Sequence, residues 1–442
     1  MVFSSGVFLF LFIPCLLILY YLFAKSRPVR NYILLVTSLM FYAWGEPVFV
    51  FIMTASIFVN WYITLLMSGS SRKKFWLTLA IGLDALLLGV FKYAGFITEN
   101  LGLTRINIAL PIGISFFTFQ MMSYVFDVYY GKSEAQRNPL YVALYISFFP
   151  QLIAGPIVRY SQIEAEIESR TESWENFSEG VRRFIYGLGK KVLLANFVAQ
   201  IADNVFGYIE NPSVLMAWLG AVAYTFQIYF DFSGYSDMAI GLGLMFGFHF
   251  EENFRYPYLA SSISDFWRRW HISLSAWFRD YVYIPLGGNR VSHSRWLWNV
   301  FTVWLLTGIW HGANWTFILW GLGYFVLLVL EREAGLKLGH IGTMICVIVL
   351  WVVFRCESVG QGVSYIASMF GLKGNALWDS GFVFFVRWTW PVMVFALLGV
   401  FPLVNSLKKH PVMESAWLCL VFGLSVCEAA GSSYNPFIYF NF

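Results

Sequence analysis

The sequence predicts an all-α, polytopic membrane protein, and three observations carry that prediction. The chain of 442 residues is 59% hydrophobic and only 12% charged, too little polar surface to cover a soluble core of that size. Aromatic residues make up 20% of it, including 19 tryptophans, a side chain that collects at membrane interfaces. Apolar runs recur from end to end, at Val7–Ala24, Tyr32–Trp44, Val48–Met67, Phe75–Phe91, Trp218–Phe232 and Trp296–Ile309. A helical span needs about 20 residues, or ~17 when short, so the chain has room for roughly ten to twelve spans. The expected architecture is a helical bundle forming one membrane domain over residues 1–442, with its chemistry concentrated at about residues 225–325.

The first run, Val7–Ala24, lacks the basic start and small-residue cleavage pattern of a signal peptide and is followed directly by Lys25, Arg27 and Arg30. It therefore reads as a retained span that starts outside. Lys25/Arg27/Arg30, Arg72/Lys73/Lys74 and Lys132/Arg137 mark cytoplasmic loops, which leaves the turn Gly45-Glu46-Pro47 facing outward. Leu140–Ile157, ending in Gly155-Pro156, is then flanked on one side only and reads as re-entrant. Trp174–Lys191 follows as an amphipathic helix, with Phe177, Val181, Phe184, Ile185 and Leu188 at helical spacing; such a helix is expected in the interface plane. From Glu251 to Arg295 the chain is dense in Arg, Asp and Trp and contains Pro257 and Pro285. Irregular backbone of this kind reaches membrane depth only inside protein or along a wet cavity.

The five cysteines show no metal-ligand or redox spacing and read as small hydrophobes. A net charge of +4 spread over short loops reports topology and excludes nucleic acid as a partner. Internal repeats, which many transporters carry, are not visible in the sequence.

Two histidines are expected at membrane depth in this apolar chain, and an ionisable group there marks a functional site by default. His271 belongs to Asp265-Phe266-Trp267-Arg268-Arg269-Trp270-His271-Ile272-Ser273. On one continuous helix Asp265 would pair with Arg269, and Arg268 and Ser275 would share the face of His271. Arg268, Arg269 and Arg279 form a cationic cluster denser than membrane anchoring needs and suited to phosphate groups; the plainer reading is a juxtamembrane helix with snorkelling arginines. His311 belongs to Thr307-Gly308-Ile309-Trp310-His311-Gly312-Ala313-Asn314-Trp315, with no charge nearby. Thr307 and Trp315 stand one helical turn away, and Gly308 and Gly312 invite close approach of another backbone. A neutral imidazole here is a competent general base, whereas the plainer reading is a core histidine bonded to a carbonyl. A third metal ligand, a Gly-x-Ser-x-Gly elbow and a phosphate-binding loop are all missing from both runs. The predicted chemistry is proton abstraction from a hydroxyl. Gln227, Asp231, Ser233, Tyr235, Ser236 and Asp237 form a polar interruption between apolar runs, and Asp231 is expected to pair with Arg268, Arg269 or Arg279.

These motifs, with Arg279-Asp280-Tyr281, Tyr283-Ile284-Pro285-Leu286-Gly287-Gly288-Asn289-Arg290, Asp231-Phe232-Ser233-Gly234-Tyr235-Ser236-Asp237 and the terminal Asn435-Pro436-Phe437-Ile438-Tyr439-Phe440, resemble the membrane-bound O-acyltransferase family over nearly the whole chain. The likeness is greatest to its bacterial alginate O-acetylation branch. The resemblance implies a helical bundle with a central tunnel, His311 as the catalytic residue and His271 in support. Asn314, Asp265, Trp267, Asp231, Tyr235 and Asp237 are then expected to line or support the tunnel. It implies no bound cofactor and no metal, with acetyl-CoA or an acyl-carrier thioester as donor substrate. It also implies a multi-pass protein of the bacterial cytoplasmic (inner) membrane. The acetyl group would pass outward to a polysaccharide, through a periplasmic or surface acetyltransferase partner of the SGNH-hydrolase type. Alternatives are a D-alanyl or peptidoglycan O-acyltransferase of the same family, or a transporter or flippase of acetylated glycans with His311 as proton relay.

Overall fold

The computed structural model describes residues 1–438 apart from Ala24, Lys408 and Ser433. Ala24, at the end of the first apolar run, and Tyr439 and Phe440, at the end of the terminal motif, lie outside the described residues. All regular structure among the described residues is helical. Six helices are long and apolar enough to cross a membrane: Phe49–Ser68, Lys73–Asn100, Val214–Met245, Trp315–Glu333, Ser380–Gly399 and Pro411–Gly431. Phe8–Phe23 and Gly339–Arg355 are shorter apolar helices. Six is fewer than the ten to twelve for which the runs have room. Some runs enter helices diluted by polar residues, such as Arg27–Gly45 and His293–His311, and others enter pieces shorter than a bilayer is thick.

The chain divides into two compact units: residues 1–184 with 235–252, and residues 185–234 with 253–442. In the first, Leu140–Ile157 folds as the nine-residue helix Pro139–Ser147 and the single turn Phe149–Leu152. The turn and the helix from Val142 onward are buried, whereas Leu140 is exposed, and neither piece is long enough to span a bilayer. Asn138 caps the helix by accepting from Leu140 N–H at 3.0 Å. The helix expected in the interface plane forms as Trp174–Gly189. Its apolar face packs into protein: Phe184 and Leu188 are buried, and a Cβ on Gly180 would meet the Gly241 carbonyl at 2.6 Å. Only its first residue, Trp174, is strongly exposed among the large apolar ones. The basic loop after the first run is held by an acid, since Arg27 and Arg30 both pair with Glu172, Arg30 at 2.9 Å.

In the second unit, helix α1 (His293–His311) and helix α2 (Trp315–Glu333) form an antiparallel hairpin. Small residues set its tightness. A Cβ on Gly308 would lie 2.6 Å from the Phe317 carbonyl, and one on Gly321 would lie 2.5 Å from that of Trp304. This is the close approach expected at Gly308. At the open end His293 Nε2 lies 2.9 Å from a Glu333 carboxylate oxygen. Against the hairpin packs a core of Phe266, Trp267, Trp270, Trp304, Trp320, Tyr324 and Trp351.

Candidate active site

His271 is where two short helices break apart. Helix α3 (Ile263–Arg269) starts on the Ser262 side chain, which accepts from Asp265 N–H at 3.0 Å. It ends at Trp270, and the next helix, Ile272–Phe278, begins one residue later. Between them His271 has φ of 43°, a left-handed conformation that costs a non-glycine residue about 1–3 kcal/mol. Two backbone hydrogen bonds bracket the kink: Arg255 N–H donates to Arg269 O at 2.9 Å, and Ile272 N–H donates to Asn253 O at 3.0 Å. The kink corrects the single-helix reading, so Arg268 and Ser275 do not share a helical face with His271. The expected Asp265–Arg269 pair does form, at 2.9 Å, because both residues lie within α3.

The Asn253 side chain fixes the state of the His271 ring. Asn253 Oδ1 accepts from Ser273 N–H at 3.2 Å and from the Ser273 hydroxyl at 2.9 Å. A backbone N–H can only donate, so the atom facing it is the amide oxygen. His271 Nδ1, 3.1 Å from that same oxygen, must therefore carry the proton. The neutral ring then presents an unprotonated Nε2, which has no hydrogen-bond partner among the described residues. Asn253 was missed in the sequence because it sits in an irregular loop whose polar run has no period.

His311 is the last residue of α1; Gly312 is extended, and Asn314 caps α2 by accepting from Thr316 N–H at 3.0 Å. Trp315 therefore opens the next helix, half exposed, and does not flank His311 on a shared turn as expected. Three rings enclose the buried imidazole edge to face: Trp310 and Trp320 at 4.9 Å and Phe354 at 5.1 Å. Trp310 also stands 6.1 Å from the His271 ring, so one indole touches both histidines. Trp267 is one ring further out, 5.8 Å from Trp320.

Beside this cluster lies a cavity of about 450 Å³ lined by residues including Gln227, Asn314, Thr316, Phe317, Phe354 and Arg355. Asn314 lines this cavity, its amide donating to Glu357 O at 2.7 Å. Arg355 pairs with Asp203 at 2.8 Å. The three arginines proposed for a donor are distributed differently. Arg268 is exposed, Arg269 is held by Asp265, and Arg279 pairs with Asp280 at 2.7 Å. The start of α3 is tied to the far end of α2, where Ile263 N–H donates to Glu331 at 2.8 Å. Fifteen residues of helix separate Glu331 from Thr316, about 22 Å.

Asp231 does not pair with an arginine. It forms a buried ion pair with Lys191 at 2.6 Å and accepts from Ile438 N–H at 2.9 Å. Lys191, the last residue of the predicted amphipathic helix, belongs to the helical stretch Lys190–Ala195 that follows Gly189, and nothing in the local pattern of either residue announced the pair. Tyr235 and Asp237 belong to the other unit. There Tyr235 stacks on Phe3 at 4.4 Å, and Asp237 pairs with Arg183 at 2.7 Å. Among the described residues no cluster of His, Cys, Asp or Glu is arranged to hold a metal ion.

The family described as MBOAT, membrane-bound O-acyltransferase family, matches residues 135–335. The chain is 40% identical to the "Probable alginate O-acetylase AlgI" of Pseudomonas putida, with the whole of both chains covered. It is 45% identical to the protein of the same description from Azotobacter vinelandii, over 86% of this chain and 80% of that one. It is 33% identical to the "Peptidoglycan O-acetyltransferase" of Helicobacter pylori, over 100% of this chain and 98% of that one.

Proposed function

We propose that this chain, which belongs to the membrane-bound O-acyltransferase family and is a multi-pass membrane O-acetyltransferase, moves an acetyl group from a cytoplasmic thioester to an extracytoplasmic polysaccharide, with His311 as catalytic residue. The observation that carries the reading is the aromatic cluster. It seats His311 against Phe354, and Phe354 is also a wall of the Asn314 cavity. The open end of the α1–α2 hairpin is flanked by Arg290, Arg295, Arg332 and Lys337. By the positive-inside rule that end faces the cytoplasm, so the cavity end faces outward.

In the proposed reaction an acceptor hydroxyl oxygen forms a bond to the thioester carbonyl carbon and the carbon–sulfur bond breaks. His311 takes the hydroxyl proton and returns it to the departing thiolate, giving ester and thiol. Proton transfer of this kind contributes about 10²–10⁴-fold. Acetyl-CoA is the preferred donor, its phosphates met by exposed Arg268 with Arg269 and Arg279; an acyl-carrier thioester is the other candidate. An alginate-like glycan is the acceptor, reached through an SGNH-hydrolase-type partner outside the bacterial inner membrane.

A second reading has its own observation. The Asn253 contact leaves Nε2 of His271 as a proton acceptor, which makes His271 the base and His311 the group that orients the hydroxyl.

The test is transfer of labelled acetyl from acetyl-CoA, or from acyl carrier protein, by purified protein in vesicles. His311→Ala should abolish covalent transfer at normal protein level. Full retention of transfer sinks the catalytic assignment, and movement of glycan without transfer supports the carrier instead.

A further inference from the structure

Arg387 lies inside Ser380–Gly399, the least buried of the six helices able to cross a membrane. Among its residues only Ala396 is buried. The basic pair Lys408-Lys409 follows this span, so its end faces the cytoplasm and Ser380 faces outward. Twelve residues of helix follow Arg387, about 18 Å, too little to cross a hydrocarbon core of about 30 Å. Arg387 therefore sits within the core, seven residues or about 10 Å below the outer end. Its side chain is exposed and makes no hydrogen bond, ion pair or ring contact among the described residues. The nearest acid along the helix, Asp379, serves as its cap and accepts from Phe382 N–H at 2.7 Å. Pro391 adds a second unmet group at the same level, because it has no N–H to give the Arg387 carbonyl four residues before it. The nearby Thr389 hydroxyl is committed to Phe385 O at 2.7 Å. One turn thus turns both a charge and a bare carbonyl toward lipid, and each is costly in hydrocarbon.

We infer that this face of the span is a docking surface for a membrane-spanning helix of another protein, one that carries a carboxylate in its outer half. The inference rests on the proposed function only for the existence of an extracytoplasmic partner, and it assigns this helix to that partner's membrane anchor. Phe384, Arg387, Trp388, Pro391 and Phe395 recur at spacings of three and four, the spacing at which one helix meets another. Phe384, Trp388 and Phe395 are 61%, 70% and 64% exposed along that stripe. Charge fixes the chemistry of the occupant. A carboxylate neutralises the guanidinium and accepts two parallel N–H bonds from it, and a spanning helix can hold one at this depth. A lipid phosphate stays at the headgroup level, about 10 Å above. A serine, threonine or asparagine one turn away on the docked helix supplies the donor that Pro391 withholds.

The experiment reads energy transfer between the labelled full chain in phosphatidylcholine vesicles and a labelled, leucine-rich spanning peptide. The peptide carries one aspartate in its outer half, and the control peptide has leucine there. Wild type should bind the aspartate peptide about tenfold more tightly than the control, and Arg387→Leu should lose that preference. Arg387→Glu should reverse it, favouring a peptide with lysine in place of the aspartate. Because Arg387 has no partner to lose among the described residues, size-exclusion profile and thermal midpoint should match wild type in both variants. His311→Ala should keep the peptide preference, so failure of the catalytic reading appears as retained acetyl transfer and failure of this one as equal peptide affinities. Equal affinity of wild type for the two peptides overturns the docking surface, as does a preference that persists in folded Arg387→Leu. Two further outcomes also overturn it. Loss of the preference when phosphatidylglycerol is added assigns Arg387 to a lipid headgroup, and self-association abolished by Arg387→Leu assigns it to a second copy of this chain.

Discussion

Asn253 Oδ1 lies 3.1 Å from His271 Nδ1, and that one contact decides which nitrogen of the ring is free. Replacing Asn253 with Leu leaves the His271 Nδ1–H and the Ser273 N–H without their acceptor. The expected cost is about 1–3 kcal/mol for each orphaned donor, seen as a lower thermal midpoint in detergent. Acetyl transfer should fall with it, because the ring loses its fixed tautomer. Asn253→Asp keeps the acceptor and should be milder; equal loss in both variants would count against the tautomer argument.

The two histidines are separable by their pH profiles. Gln in place of the base removes the acidic limb of the transfer rate, whereas Gln in place of the orienting residue lowers the rate about 10-fold or more and keeps the limb. We expect His311→Gln to lose the limb. Its persistence there, together with its loss in His271→Gln, selects the second reading.

The Lys191–Asp231 pair is buried on both sides, at 4% and 2% side-chain exposure. Asp231→Leu alone strands the ammonium and should cost about 3–5 kcal/mol. The double variant with Lys191→Met removes both charges and should recover most of that. A double-mutant cycle by thermal unfolding reads the coupling directly, and additive losses would show that the pair is not coupled.

Gly308→Ala should loosen the α1–α2 hairpin, since the new methyl meets the Phe317 carbonyl at 2.6 Å. An overpacked contact of this kind costs about 1–3 kcal/mol. Gly423→Ala is the control: a Cβ there meets nothing within 4 Å, and inside a helix the change should be neutral or stabilising.

Glu172 gives the fold an acid-sensitive point. Burial alone would raise its carboxyl, but hydrogen bonds from Arg27 and Tyr20 and the charges of Arg27 and Arg30 hold it down at about 2. An unfolded glutamate titrates near ~4.3. The depressed folded value means its stabilisation is complete above that pH and is lost as pH falls toward 2. Thermal midpoints should drop across this window in wild type and change less in Glu172→Gln.

The sequence by itself determined that the chain is a helical membrane protein and which two histidines stand out. Both follow from composition and from the rarity of ionisable groups in apolar runs, which are properties of single segments. It also determined the Asp265–Arg269 pair and the close approach at Gly308, because helical spacing fixes the first and side-chain size permits the second. Only the tertiary structure decided that Asp231 pairs with Lys191, that Trp310 touches both imidazoles and that Asn253 holds His271. Each of these joins residues from separate segments, and no periodicity in one segment encodes its partner in another. The break at His271 was hidden for the same reason. Its left-handed backbone is held by hydrogen bonds from the strand of chain around Asn253 to Arg255, so a helix that looked continuous in the sequence was divided by a neighbour it could not announce.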